Sequence, residues 1–291
     1  MDFSDDKIST SPSESSEANH SKNGHLKRDI FLSTYRRRQE WSFPESIIYY
    51  MAMNPTNLKN PILIADRFAY DRVDKKCFVY KGHDSTKFSS VSSKFWITKK
   101  FSNFVRESNP KMVASILPKF YRVDVKKVRL SCQNISLDDF VFLCLNVKRL
   151  DFNHTTVMNA DGSIVSFEKL LALLPKLTYI EFLNKPASSS ITSKTAKELA
   201  EILQFSKVQY FELCNLSEVF DIEFFLNYMK KSTGIRFLVY FCPPLSEAFK
   251  NRLEEMIDEI IESKTCGIDL DFHELDEEKH DKIESLYYNT R

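Results

Sequence analysis

The chain has 291 residues, 43% of them hydrophobic, with 24 Phe and a formal net charge of +1, enough apolar mass for one or two cored domains. No stretch approaches the roughly 18 uninterrupted apolar residues of a membrane helix, and the first residues lack the basic start and apolar middle of a secretory signal, so a cytoplasmic or nuclear protein with no membrane partner is expected. The six cysteines include no CxxC pair, which favours reduced thiols over a disulfide framework.

Residues 1–24 hold seven Ser and few apolar groups, so a disordered tail is expected over 1–26. A cap follows over 27–120. In it, the run from Trp41 to Met53, with Pro44 at its start and Pro55 at its end, predicts a short helix. Residues 61–68 and 76–82 predict strands, and residues 95–108 and 110–120 predict helices.

From residue 121 a pattern recurs: an apolar residue, two variable residues, an apolar residue, one variable residue, an apolar residue. Its copies are Val125/Val128/Leu130, Val147/Leu150/Phe152, Leu177/Ile180/Phe182, Val208/Phe211/Leu213, Ile235/Leu238/Tyr240 and a weaker Ile268/Leu270. The central anchors are 22 to 31 residues apart, the spacing of strand-plus-helix repeats. Helix starts are predicted at Ser136 (with Asp139 as a capping pair), Ser166, Thr192 or Ser193, Asp221 and Ser246. The expectation is an α/β solenoid over 121–291, with a curved, mostly parallel sheet and helices on its outer face.

The chemistry-bearing motifs are sparse. Five glycines show no phosphate-loop or dinucleotide spacing, and the six histidines form no HExxH or Cys/His cluster. No cofactor, no metal and no catalytic residue is assigned, and a non-enzymatic protein is expected. Asn159-Ala-Asp161-Gly162-Ser163 has the look of a calcium loop, but Val157 would occupy its first ligand position, so a tight turn is the better reading.

If the anchors point inward, strand alternation turns the residues between them toward the open face. Arg149, Asp151, Tyr179, Glu181, Tyr210, Glu212 and Phe237 are the candidate partner-binding residues. An aromatic column beside stacked acids suggests a protein partner with apolar and basic side chains. Charge is uneven along the chain: residues 94–129 hold ten Lys/Arg against two acids, whereas 253–284 hold thirteen acids against three lysines. The basic segment, with Trp96 and Phe101, supports an alternative reading as a nucleic-acid-associated protein, although nucleic acid is the less favoured partner.

FPESIIYYMAMNP (43–55), KNPILI (59–64), FWIT (95–98), LPKFYRVDVKKVRLSCQNISLDDF (117–140), NADGSIV (159–165), SITSKTAKEL (190–199) and FDIEFF (220–225) resemble a nematode-expanded family of F-box-like proteins with leucine-rich-like repeats. The resemblance spans most of 43–265. It implies a leucine-rich-repeat-like solenoid for 121–291 and an F-box-like segment carried by Phe43, Pro44, Ile47, Ile48 and Met51. In such proteins that segment docks on a Skp-type adaptor of cullin ubiquitin ligases while the repeats hold the substrate. Here Thr56-Asn57-Leu58 leads directly into Lys59-Asn60-Pro61, so the second helix usual in the family is missing and the segment reads as truncated.

Overall fold

The computed structural model describes residues 62–71, 76–103, 109–185 and 189–289. The expected tail, the helix at 41–53 and the F-box-like residues Phe43, Pro44, Ile47, Ile48 and Met51 lie outside these residues. Within them the chain is α/β, with a mostly parallel, mixed sheet.

β1 (Ile62–Asp71), β2 (Lys76–Lys81) and β3 (Asp84–Lys87) form an antiparallel edge. β4 (Lys94–Asn103) lies parallel to β1 on its other side. Then β5 (Phe120–Val123) and β6 (Lys127–Ser131) pair in succession along the free edge of β4. β8 (Arg149–Asn153), β10 (Tyr179–Leu183), β11 (Tyr210–Leu216), β12 (Arg236–Phe241) and β13 (Ile268–Phe272) add in order, each parallel to its neighbour. Strand hydrogen bonding therefore runs through the expected division at residue 120 without a break. β7 (Asn134–Ser136) and β9 (Thr156–Met158) form a separate two-stranded parallel pair.

Helices connect the parallel strands: α1 (Met112–Ile116), α2 (Leu137–Cys144), α3 (Phe167–Ala172), α4 (Thr195–Gln204), α5 (Ile222–Lys231) and α6 (Glu247–Glu262), and α7 (Glu277–Tyr288) follows β13. Ser136 caps α2 by accepting from the Asp139 N–H at 3.1 Å, and Asp221 and Ser246 cap α5 and α6 in the same way. Each satisfies a backbone donor that the first helical turn leaves unpaired. Ser166 precedes α3 without a side-chain cap, and α4 opens at Thr195 instead, whose hydroxyl donates to the buried Glu168 at 2.9 Å.

In-register pairing stacks equal positions of each unit. Val128, Leu150, Ile180, Phe211, Phe237 and Ile268 form one apolar row, and Leu130, Phe152, Phe182, Leu213, Val239 and Leu270 form a second. All twelve are buried. Helices cover this face: Phe140 of α2 meets Phe152, Phe167 of α3 meets Phe182 at 3.9 Å between centroids, and Phe225 of α5 meets Phe211 and Phe237.

Two expectations fail, one at an irregular strand and one at the choice of a strand's inward face. Residues 95–108 were expected to be helical, yet Lys94–Asn103 is β4. β4 carries a bulge opposite Asp66, between the pairs Ala65↔Ile97 and Arg67↔Lys100. The bulge interrupts the regular alternation, and the buried residues Phe95, Trp96, Ile97, Phe101, Ser102 and Asn103 do not follow a period of two; Phe95 and Phe101 both pack on Phe120. In the fifth repeat, Phe237 and Val239 are the buried anchors in place of Leu238 and Tyr240.

The turns after the strands are closed by buried amides that the apolar pattern did not reveal. Asn103 Oδ1 accepts from Ser131 N–H at 2.8 Å and its amide donates to Ser131 O at 3.2 Å. Gln133 Oε1 accepts from Val113 N–H at 2.9 Å and Nε2 donates to Asn109 O at 3.0 Å. Asn184 donates through Nδ2 to Asn215 O at 3.1 Å. Cys132, His154 and Asn215 take positive φ there, and the N–H groups of Cys132, His154 and Asn184 each reach a carbonyl of the next unit at 2.9 Å. The 159–163 segment is a tight turn with Gly162 at φ 84° and Asp161 accepting from Ser163.

The register makes an expected outcome. Phe237→Ala should lower unfolding free energy by about 3–5 kcal/mol, whereas Leu238→Ala, on the half-buried opposite face, should cost about 1 kcal/mol. Denaturant unfolding of both variants checks it.

Candidate interaction face

On the face opposite α2, α3 and α5, register aligns two rows. The first is Arg67, Lys100, Lys127, Arg149, Tyr179, Tyr210 and Arg236, one each from β1, β4, β6, β8, β10, β11 and β12. The second is Ser102, Arg129, Asp151, Glu181, Glu212, Leu238 and Asp269. The structure therefore brings Arg149, Asp151, Tyr179, Glu181, Tyr210 and Glu212 together as the alternation predicted. Phe237 is not among them: it is fully buried on the helix side, ringed by Phe211, Phe225 and Tyr228.

Neighbouring strands are about 4.8 Å apart, so three acids in one row repel unless something sits between them. The intervening groups come from the same face. Asp151, nearly buried, takes Arg129 at 2.8 Å and Arg149 at 2.9 Å. Arg149 also reaches Glu181 at 3.0 Å. The Tyr179 hydroxyl donates to Glu181 at 2.7 Å and the Tyr210 hydroxyl to Glu212 at 2.6 Å. Burial and the hydrogen bond to Glu181 push the Tyr179 phenol up to about 12, and the same two causes, with Glu212 as partner, raise Tyr210. Glu181 is itself raised, first by burial.

The rings form a closed stack. Tyr179 and Tyr210 lie 4.2 Å apart and 8° from parallel. Arg149 covers the Tyr179 ring at 3.6 Å, and Arg236 lies 5.9 Å from the Tyr210 centroid. Each ring is thus flanked by a partner ring and a guanidinium.

α7 closes the β13 end of this face, which the sequence did not foretell. At its start Lys279 pairs with Glu254 at 3.3 Å and Asp258 at 2.9 Å on α6. Further along, His280 lies 3.8 Å from Asp271, Ile283 and Tyr287 are buried, and the Tyr287 ring lies 5.8 Å from the Arg236 guanidinium and faces the Tyr210 hydroxyl. The helix thus reaches from the helix layer to the opposite face. Asp269 beneath it is buried, and its Oδ1 has no hydrogen-bond partner. Burial, then the charge of Asp271, pushes its carboxyl up to about 6, with Glu284 and Glu212 acting in the same direction and His280 against them.

Other candidate groups fall elsewhere. Trp96 and Phe101, the aromatics of the basic segment, are buried, with Trp96 Nε1 donating to Asp124 at 2.9 Å. The six cysteines are free thiols. Cys214 lies on the open face beside Glu212, and burial first, then that carboxylate, raises its thiol. Among the described residues His280, Asp281 and Glu284 have ligand atoms within 4.8 Å of one another, on a largely exposed surface of α7. No helix among them is long and apolar enough to cross a membrane.

Comparison of the chain with protein-family models, curated proteins and solved structures returned no match.

Two buried acids of the same row should respond oppositely to neutralisation. Folded Asp269 keeps its proton up to about pH 6, whereas the ordinary value is 3.8. Stability should therefore fall as pH rises between these values, by up to about 3 kcal/mol. Asp269→Asn should remove that part of the decline and raise the thermal midpoint at pH 7. Asp151→Asn, which strips Arg129 and Arg149 of their shared counter-charge, should cost about 1–3 kcal/mol at pH 7. Thermal unfolding across pH 4–8 checks both.

Proposed function

We propose that the chain is a non-enzymatic protein–protein interaction protein, built as a leucine-rich-repeat-like solenoid, that presents the helix-free face of its sheet to a protein partner. The observation that carries this reading is the run of parallel strands β6, β8, β10 and β11, whose two side-chain rows lie in register on a face that α2, α3 and α5 leave uncovered. Repeating units of strand, turn and helix support the solenoid, as do the buried amides at Asn103, Gln133 and Asn184 that tie their turns to a neighbouring unit.

A binding role agrees with the chemistry of the face. A nucleophilic cysteine needs a lowered thiol pKa, and Cys214 beside Glu212 is driven the other way. Tyr179 and Tyr210 are held as un-ionised donors to carboxylates. The face is rigid because its charges are cross-linked to one another, which limits the ordering entropy lost on binding.

The resemblance to F-box-like proteins with leucine-rich-like repeats extends the reading to a degenerate substrate-recognition protein of the ubiquitin-ligase type. The sequence passes from Met53 to Lys59 without the length for the box's usual second helix, and a stable interface needs roughly 1,000 Å², so a Skp-type adaptor should bind weakly or not at all.

Affinity purification of tagged protein, with quantitative mass spectrometry, tests the use of the face. Lys127→Ala with Arg149→Ala on the open face should reduce recovery of the partner by tenfold or more, whereas Lys169→Ala with Lys197→Ala on the exposed surfaces of α3 and α4 should leave it unchanged. Loss on the helix-side pair and retention on the face pair would overturn the proposal.

A further inference from the structure

The sequence alone suggested a basic ligand, drawn by the acids Asp151, Glu181 and Glu212. The structure reverses the sign. Asp151 and Glu181 are engaged by Arg129 and Arg149, and Glu181 and Glu212 also accept tyrosine hydroxyls. What remains unbalanced is the other end of the first row: among the described residues, Arg67, Lys100 and Lys127 make no ion pair. Register sets them side by side on β1, β4 and β6, about 4.8 Å from strand to strand. Arg67 lies 4.8 Å from the Tyr80 ring and is otherwise exposed, and Lys127 is exposed too. Lys100, half-buried between them, is held below the usual lysine range by burial and by repulsion from Arg129, Lys127 and Arg67, while Asp151, which acts against that shift, is already shared by two arginines.

Three cations held this close on a rigid sheet cost Coulomb energy that an anion would relieve. Resting on the proposed use of the sheet face, we infer that Arg67, Lys100 and Lys127 dock an acidic segment of a partner protein. Two observations favour a carboxylate-bearing peptide over a single-stranded nucleic acid. Base recognition on a sheet needs an open aromatic platform, and here Tyr179 and Tyr210 are flanked by each other, Arg149 and Arg236, while Trp96 and Phe101 are buried. The other end of the same face already carries a helix of this character: α7, with Glu277, Glu278, Asp281 and Glu284, lays Tyr287 against Arg236.

The test is fluorescence anisotropy of labelled decaglutamate and labelled ten-residue oligothymidylate against the full chain, at low and moderate salt, with sedimentation velocity of the protein alone. Decaglutamate should bind the native chain, and Lys100→Glu with Lys127→Glu should weaken it at least tenfold. Lys100→Gln with Lys127→Gln, which avoids placing new acids beside Asp151, should weaken it several-fold with an unchanged thermal midpoint. Undetectable binding, or binding indifferent to both pairs, overturns the assignment. So does tighter binding of the oligothymidylate, which would make the ligand a nucleic acid. Self-association abolished by the lysine substitutions would replace the peptide with the acidic end of a second copy. If decaglutamate fails while the Lys127/Arg149 variant still loses its partner in cell extract, the acidic ligand is wrong and the sheet face stands. If the helix-side variant loses the partner instead, the face itself is wrong.

Discussion

In-register parallel hydrogen bonding sets like beside like, and the rest of this structure is a set of responses to that constraint. Two neighbouring strands at about 4.8 Å place Leu150 beside Ile180 and Phe211, which is favourable for an apolar core because identical rows bury one another. The same geometry places Asp151 beside Glu181 and Glu212, which is unfavourable for charges. Arg129 and Arg149 on either side of Asp151, and tyrosine hydroxyls on Glu181 and Glu212, are the groups that make the second row tolerable. The carboxylates are best regarded as the structural frame of the face, because their capacity to accept hydrogen bonds is already largely used within it.

Where the neutralising pattern lapses, charge is left over, and it lapses at both ends of the sheet with opposite sign. Arg67, Lys100 and Lys127 make no ion pair among the described residues, and Asp66 of β1 is taken up by Lys99. Asp269 and Asp271 on β13 have no arginine, only His280 of α7 nearby. The acidic end is roofed by the chain itself, so its excess appears as raised carboxyl groups under a helix. The basic end is exposed at Arg67 and Lys127, which makes it available to another molecule. A charge gradient that runs along the chain in sequence thus becomes a gradient along one face.

The helix layer responds to the same constraint through its turns. Where the backbone leaves the parallel strands, backbone N–H and C=O groups of neighbouring turns are satisfied by Asn103, Gln133 and Asn184. These side chains link turn to turn as strand bonds link strand to strand, so sheet and turns resist shear between units together. The rows of side chains on the open face thereby keep their spacing.

Much of this was legible in the chain. The recurring apolar triplets located β6, β8, β10 and β11 and told which residues between them share a face, since period-two alternation is a local property of an extended strand. Ser136, Asp221 and Ser246 marked helix starts because capping is also local. The failures lie where an inserted residue or a distant partner decides. The bulge in β4 interrupted the alternation, so the apolar residues of 95–103 lacked a strand's period of two, and in β12 the apolar run Phe237–Phe241 offered two registers that only packing against Phe211 and Phe225 could separate. Sequence alone placed Asp151, Glu181 and Glu212 in a row; whether that row is free or satisfied depended on which arginines and hydroxyls the tertiary structure brought within 3 Å, because charge balance is a property of spatial neighbours and not of sequence order.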